Sequence, residues 1–230
     1  MTSFLVLVAV LPALFLIRMV YRADRVEKEP KGLILKLVFF GVLSTFSAII
    51  LEYLGEWILD GFVAYSDPLY NVIYYFIIIA GAEEISKYVF LKLGSYKNSV
   101  FNCMFDGIVY AVTVSLGFAL FENILYVFEG GLSVALLRAV TAVPAHGTFG
   151  VFMGIWYGYA KYMQVNKKAS EKLNLVLCVV IPMAIHGAYD YVLSMNNDYV
   201  VIVFIVFVAI LYALTIKLLK NVSKNDFYIK

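Results

Sequence analysis

The chain has 230 residues, 63% of them hydrophobic and 15% charged, with a mean hydropathy of +0.88. A soluble domain carries about a quarter charged residues, so this composition excludes an ordinary water-soluble domain and points to an integral membrane protein. The net charge of +2 says little about partners, and no nucleic-acid partner is expected.

The first stretch, "MTSFLVLVAVLPALFLIRMVYRADR", has no basic residue before its apolar run and no clear small-residue cleavage site after it. It reads as a retained first helix. Seven apolar runs are long enough to cross a bilayer: roughly 3–21, 33–51, 69–91, 103–127, 132–160, 173–195 and 199–219. The expected fold is therefore an all-α polytopic membrane protein. Cys103 and Cys178 both sit in apolar runs and read as small core residues.

Lys and Arg set the orientation. The first connection and its flanks hold Arg18, Arg22, Arg25, Lys28, Lys31 and Lys36. The third holds Lys92 and Lys97, the fifth Lys161, Lys167, Lys168 and Lys172, and the tail Lys217, Lys220, Lys224 and Lys230. The even connections, among them "EYLGEWILDGFVAYSD", have no base. This alternation puts the N-terminus outside and the C-terminus in the cytoplasm.

Within the spans lie Glu83, Glu84, Lys87, Asp106, Glu122, Arg138, His146, His186 and Asp190. Each ionisable group near the bilayer centre costs at least about 2.5–3.5 kcal/mol, and a merely structural bundle needs few of them. Helical rise of about 1.5 Å per residue puts His146 at mid-span and His186 close to it. The same measure puts Glu83 and Glu84 roughly 5 Å inward. Glu122, Arg138 and Asp190 form an outer layer. Lys87 and Asp106 form an inner one, where they are expected to pair.

Spacing adds detail. Glu83 and Lys87 are i, i+4 neighbours, as are His186 and Asp190. A carboxylate beside His186 fixes its tautomer. Glu83 and Glu84 point about 100° apart, so one is expected to face a reaction centre while the other bonds a neighbouring helix. Pro144 and Pro182 precede the histidines and are expected to kink their helices. Gly150, Gly154 and Gly158 make a close-packing stripe.

Three blocks carry a family resemblance: "EEISK" at 83–87, "DGIVYAVTVSLGFALFENILYV" at 106–127, and the pair "HGTFG" and "HGAYD". With these motifs the chain resembles the PrsW family of intramembrane proteases, distantly related to CAAX-processing and bacteriocin-processing membrane proteases. The resemblance implies one membrane-embedded protease domain over 1–230, with core motifs at 83–190. It implies a multi-pass protein of a bacterial plasma membrane that cuts a single-span substrate. The family's role is the first cut of an anti-sigma factor, which activates an extracytoplasmic-function sigma factor under stress. Glu83, Glu84, His146 and His186 become the catalytic candidates.

No serine or cysteine sits in a convincing nucleophile setting, so direct attack by water is favoured. In one version a Glu of the pair is the base, His146 or His186 polarises the carbonyl, and Asn123 adds a donor. In the other, His146, His186 and Glu84 or Glu122 bind zinc, with Glu83 as base. The H-E-x-x-H signature is absent, and the metal-free version is slightly preferred, with zinc left open as a cofactor. The rival readings are a proton- or ion-coupled transporter, for which inverted repeats are missing, and a non-catalytic membrane scaffold.

Overall fold

The computed structural model describes residues 2–195 and 197–229. Its elements are α1 (Thr2–Ala23), α2 (Lys31–Phe62), α3 (Pro68–Ile73), a π-helical segment (Tyr74–Ile79), α4 (Ala80–Ser95), α5 (Asp106–Val140), α6 (Ala142–Val165), α7 (Glu171–Ser194) and α8 (Asp198–Lys224). Among the described residues, β pairing is confined to an isolated bridge between Cys103 and Tyr228.

Among the described residues, five stretches are long and apolar enough to cross a membrane: Phe4–Ala23, Lys31–Phe62, Asp106–Val165, Glu171–Ser194 and Tyr199–Lys224. Their large side chains face outward. Trp57, Phe62, Tyr199 and Ile202 are each more than half exposed, while Glu84, Lys87 and Ser115 are fully buried. That inversion suits a lipid solvent, which rewards apolar exteriors and forces polar groups to find partners inside.

The 60-residue stretch Asp106–Val165 far exceeds the roughly 30 Å hydrocarbon core at about 1.5 Å per residue. It folds back on itself. Gly131 takes a positive φ of 68°, which breaks the helical path. Beyond Thr141, α6 runs antiparallel to α5. The expected glycine stripe makes this contact. A Cβ on Gly150 would lie 2.8 Å from Val112 Cα, one on Gly154 2.4 Å from Ile108 Cα, and one on Gly158 2.6 Å from the Met104 carbonyl. Only hydrogen at these positions lets the two backbones touch.

Helix α5 is the central rod, buried continuously from Asp106 to Ala119. Helix α2 runs alongside it through Gly41 and Gly117, where a Cβ on Gly41 would sit 2.8 Å from Gly117 Cα. Helix α4 wedges between α2 and α7. It is preceded by the π-helical turn, in which the Ala80 N–H reaches back to the Tyr75 carbonyl. Phe76 of that turn packs on Gly187, whose Cβ would meet the ring at 2.6 Å.

Several boundaries differ from the sequence reading. Helix α2 continues to Phe62 rather than stopping near residue 51, and so takes Glu52 out of the expected loop. The expected span 132–160 is instead the tail of α5 followed by α6. His146 therefore lies near the start of α6 and not at mid-span. Pro144 falls in the first turn of α6, where its missing N–H has no intrahelical partner to lose, so it starts a helix and does not kink one. Pro182 does lie inside α7, one turn before His186.

One end of the bundle gathers the connections 24–30, 96–105 and 166–170 with the tail 225–229. The Phe105 N–H donates to Asp226 Oδ1 over 2.8 Å, Asn102 Nδ2 donates to Glu27 Oε2 over 3.2 Å, and the Ile229 N–H donates to the Asn102 carbonyl over 2.7 Å.

Candidate active site

The site is assembled on α4, α5, α6 and α7 around Lys87. Its ammonium donates to Glu83 Oε2 over 2.8 Å and to Glu84 Oε1 over 2.8 Å, and lies 3.1 Å from His146 Nδ1. It also stands 4.1 Å from the centre of the Phe118 ring, a cation–π contact. Adjacent glutamates diverge around a helix, yet a lysine one turn on is reached by both, at i, i+4 and i, i+3. The expected pairing of Lys87 with Asp106 does not form. Asp106 instead accepts from the Asn102 and Cys103 N–H groups at the start of α5. The four-carbon stem of Lys87 carries its charge away from the depth of its own Cα.

Each histidine is held between two partners. His186 Nδ1 is 3.0 Å from Glu84 Oε1, and its Nε2 is 3.1 Å from Asp190 Oδ2. The ring stacks on Phe149, with centroids 4.5 Å apart. His146 Nε2 is 2.9 Å from Glu122 Oε2. The Ser115 hydroxyl donates to the His146 carbonyl over 2.7 Å and fixes the start of α6. The two rings are 5.5 Å apart and nearly perpendicular.

A supporting chain runs outward from His146. Arg138 Nη2 meets Glu122 Oε2 at 2.8 Å, and its Nε donates to Asn123 Oδ1 over 3.0 Å. Asn123 in turn donates to the Ala9 carbonyl over 2.8 Å. Its oxygen and one of its two N–H groups are engaged, so Asn123 anchors Arg138.

A cavity of about 560 Å³ opens onto this centre, lined by Glu83, Glu122, Arg138, His146, His186 and Asp190 together with apolar and aromatic side chains. Glu84 and Lys87 are fully buried behind it. Thr141 and Ala142 also line it, so α6 begins at its wall and turns the positive end of its dipole toward it. A second cavity of about 290 Å³ shares Glu83 and Glu122 and adds Glu52 from α2. Glu52 is absent from the sequence-derived candidates because α2 was expected to end before it. The apolar residues Leu54, Trp57 and Ile58 beyond it are the signal that the helix continues.

Zinc can be tested against this donor set. One ligand atom each from Glu83, Glu84 and His146 lie within 4.8 Å of one another. The Lys87 ammonium already bonds all three. His186 faces a carboxylate with each ring nitrogen, so both nitrogens are already engaged. As arranged, these residues do not fit a zinc ion.

A bundle of membrane-spanning helices with a buried Glu–Lys–His centre opening on a cavity defines a candidate catalytic site inside the bilayer. The comparisons narrow this. Residues 29–215 match the family described as PrsW family intramembrane metalloprotease. Protease PrsW of Shouchella clausii (strain KSM-K16) is 33% identical over 220 residues, covering 96% of this chain and 97% of the relative. Protease PrsW of Bacillus subtilis (strain 168) is 32% identical, covering 82% of each, and that of Clostridioides difficile (strain 630) is 32% identical, covering 97% and 94%. No solved structure matches. The chain belongs to the PrsW family of intramembrane proteases, and is a peptidase of the membrane.

Proposed function

We propose that this protein is a glutamate-type intramembrane protease making the first cut in a single-span anti-sigma factor, in the plasma membrane of a bacterium. The observation that carries the mechanism is the position of Glu83. It is the member of the glutamate pair that lines the cavity, and its Oε2 stands 4.0 Å from His146 Nδ1 and 4.0 Å from His186 Nδ1.

In this reading Glu83 takes a proton from water as the water oxygen attacks the scissile carbonyl carbon. The oxyanion develops beside the two imidazoles, with the Lys87 and Arg138 charges and the start of α6 close by. Glu83 then returns the proton to the amide nitrogen, the C–N bond breaks, and a carboxylate and an amine leave. Glu84 positions Lys87 and His186. Glu122 and Asp190 orient the imidazoles. The Lys87 ammonium at the centre favours the metal-free version.

Seven crossings, with the N-terminus outside, belong to this proposal. The hairpin of α5 and α6 and the charged α4 segment supply the crossings beyond the five apolar stretches. The gathering of the Lys- and Arg-bearing connections at one end supports the orientation. The bacterial membrane is supported by bacterial relatives.

The test is cleavage of a purified single-span anti-sigma-type substrate in nanodiscs. Wild type should yield two fragments and Glu83→Gln none. Ion flux through liposomes with the substrate left whole would favour the transporter reading.

A further inference from the structure

A second polar centre lies away from the cavity, at the end of the bundle where the connections gather. Asp24 ends α1, Glu29 precedes α2, and Asp106 opens α5. One carboxylate oxygen from each lies within 4.8 Å of the others. All three side chains are at most 4% exposed.

What sets this cluster apart from an ordinary acidic patch is unmet bonding. Both Asp24 oxygens, Glu29 Oε2 and Asp106 Oδ1 are buried and make no hydrogen bond of good geometry, with only the Val26 and Glu27 N–H groups near Asp24 and the Tyr110 hydroxyl and Asp106 near the Glu29 carboxyl. The hydroxyl of Tyr110, one turn along α5 from Asp106, is directed at the Glu29 carboxyl and likewise makes no bond of good geometry. That phenol is wholly buried, where an oxygen without a good partner is costly. Lys28 faces Asp24, but its ammonium donates to the carbonyls of Tyr21, Arg22 and Asp24 at the end of α1. Asp226 adds a further acid, with one oxygen holding the Phe105 N–H and the other unpartnered.

We propose that Asp24, Glu29 and Asp106, with the Tyr110 hydroxyl, form a binding site for a hard divalent cation that pins the α1–α2 connection to the start of α5. The donors are all oxygens and three are carboxylates, the set that selects calcium, magnesium or manganese over zinc or copper. Such an ion would satisfy the orphaned oxygens together and tie three helices at the end that carries the C-terminal tail. It shares no residue with the cavity, so it does not depend on the proteolytic reading.

Terbium is a suitable probe, because it replaces calcium and is sensitised by a nearby tyrosine. Full-length protein in nanodiscs should show tyrosine-sensitised terbium emission that millimolar calcium or manganese displaces. Glu29→Gln and Asp24→Asn should each weaken the apparent affinity at least tenfold. Glu83→Gln should leave it unchanged, which separates this site from the carboxylates of the cavity. Calcium should raise the Tm of wild type and not of Glu29→Gln. Asp106→Asn is a poorer probe, since Asp106 also holds the Asn102 and Cys103 N–H groups. Equal emission from wild type and Glu29→Gln would overturn the proposal. So would a wild-type Tm indifferent to calcium, magnesium and manganese, since the carboxyls then share protons and hold no ion.

Discussion

Lys87 and Glu83, one turn apart on α4, form a 2.8 Å ion pair at the back of the cavity. The lysine is wholly buried and the glutamate reaches the cavity wall. The pair therefore joins a dry, fixed positive charge to the carboxylate that faces the cavity. It also holds the two glutamates together in space, since Lys87 grips Glu84 at the same distance.

Lys87→Met should be damaging in two separable ways. It strands Glu83 and Glu84 without their cation, and breaking a buried pair costs about 3–5 kcal/mol. Cleavage should fall by about 100-fold or more, because the charge beside the developing oxyanion is lost as well. Thermal unfolding in detergent and cleavage rate, measured on one preparation, check both.

The two glutamates should respond differently to amidation. Glu83→Gln should lower kcat by about 1,000-fold or more, because the amide cannot take a proton from water, and should lower Tm moderately, because Lys87 loses one of its two carboxylates. Glu84→Gln should cost less activity, roughly 10–100-fold, and more stability, because this buried carboxylate holds both Lys87 and His186. Paired kcat and Tm measurements decide; equal kcat losses would place both glutamates in the chemistry.

The chain from His146 through Glu122 and Arg138 to Asn123 should behave as one unit. Glu122→Gln and Arg138→Gln share a 2.8 Å contact, so the double variant should lose less than the sum of the singles. The coupling should be about 0.5–3 kcal/mol, read from kcat/KM in a double-mutant cycle.

Gly154→Ala should destabilise the bundle, since its Cβ would sit 2.4 Å from Ile108 Cα, and backbone cannot yield as a flexible side chain can. Overpacking of this kind costs about 1–3 kcal/mol. Gly32→Ala is the control. Nothing lies within 4 Å of its Cβ, and alanine favours the helix by about 0.5–1 kcal/mol. Opposite shifts in Tm should separate the two.

The sequence carries the all-helical class, the membrane setting and the glycine stripe, because these follow from composition and periodicity. The i, i+4 contacts of Glu83 with Lys87 and of His186 with Asp190 were equally legible, as local spacing fixes them. The π-helical turn was not, since a one-residue insertion into a helix leaves no trace in an apolar run such as "YYFIII". Depth taken from Cα rise put Glu83, Glu84, His146 and His186 in one layer, and the structure brings these four together; it set Lys87 apart from them, because its stem carries the charge back to the glutamates. Glu52 was hidden because a single acid at the edge of an apolar run reads as the start of a loop.

The central claim is that water is activated by Glu83 with Lys87 in place of a metal. The most direct measurement is the cleavage rate of wild type after treatment with a zinc-selective chelator, with calcium and magnesium kept present and residual zinc assayed in the same sample. The account predicts an unchanged rate in zinc-free protein, and no cleavage by Glu83→Gln whether or not zinc is added. Activity lost with the zinc and restored by adding it back would contradict the account and would require Lys87 to leave the centre it fills.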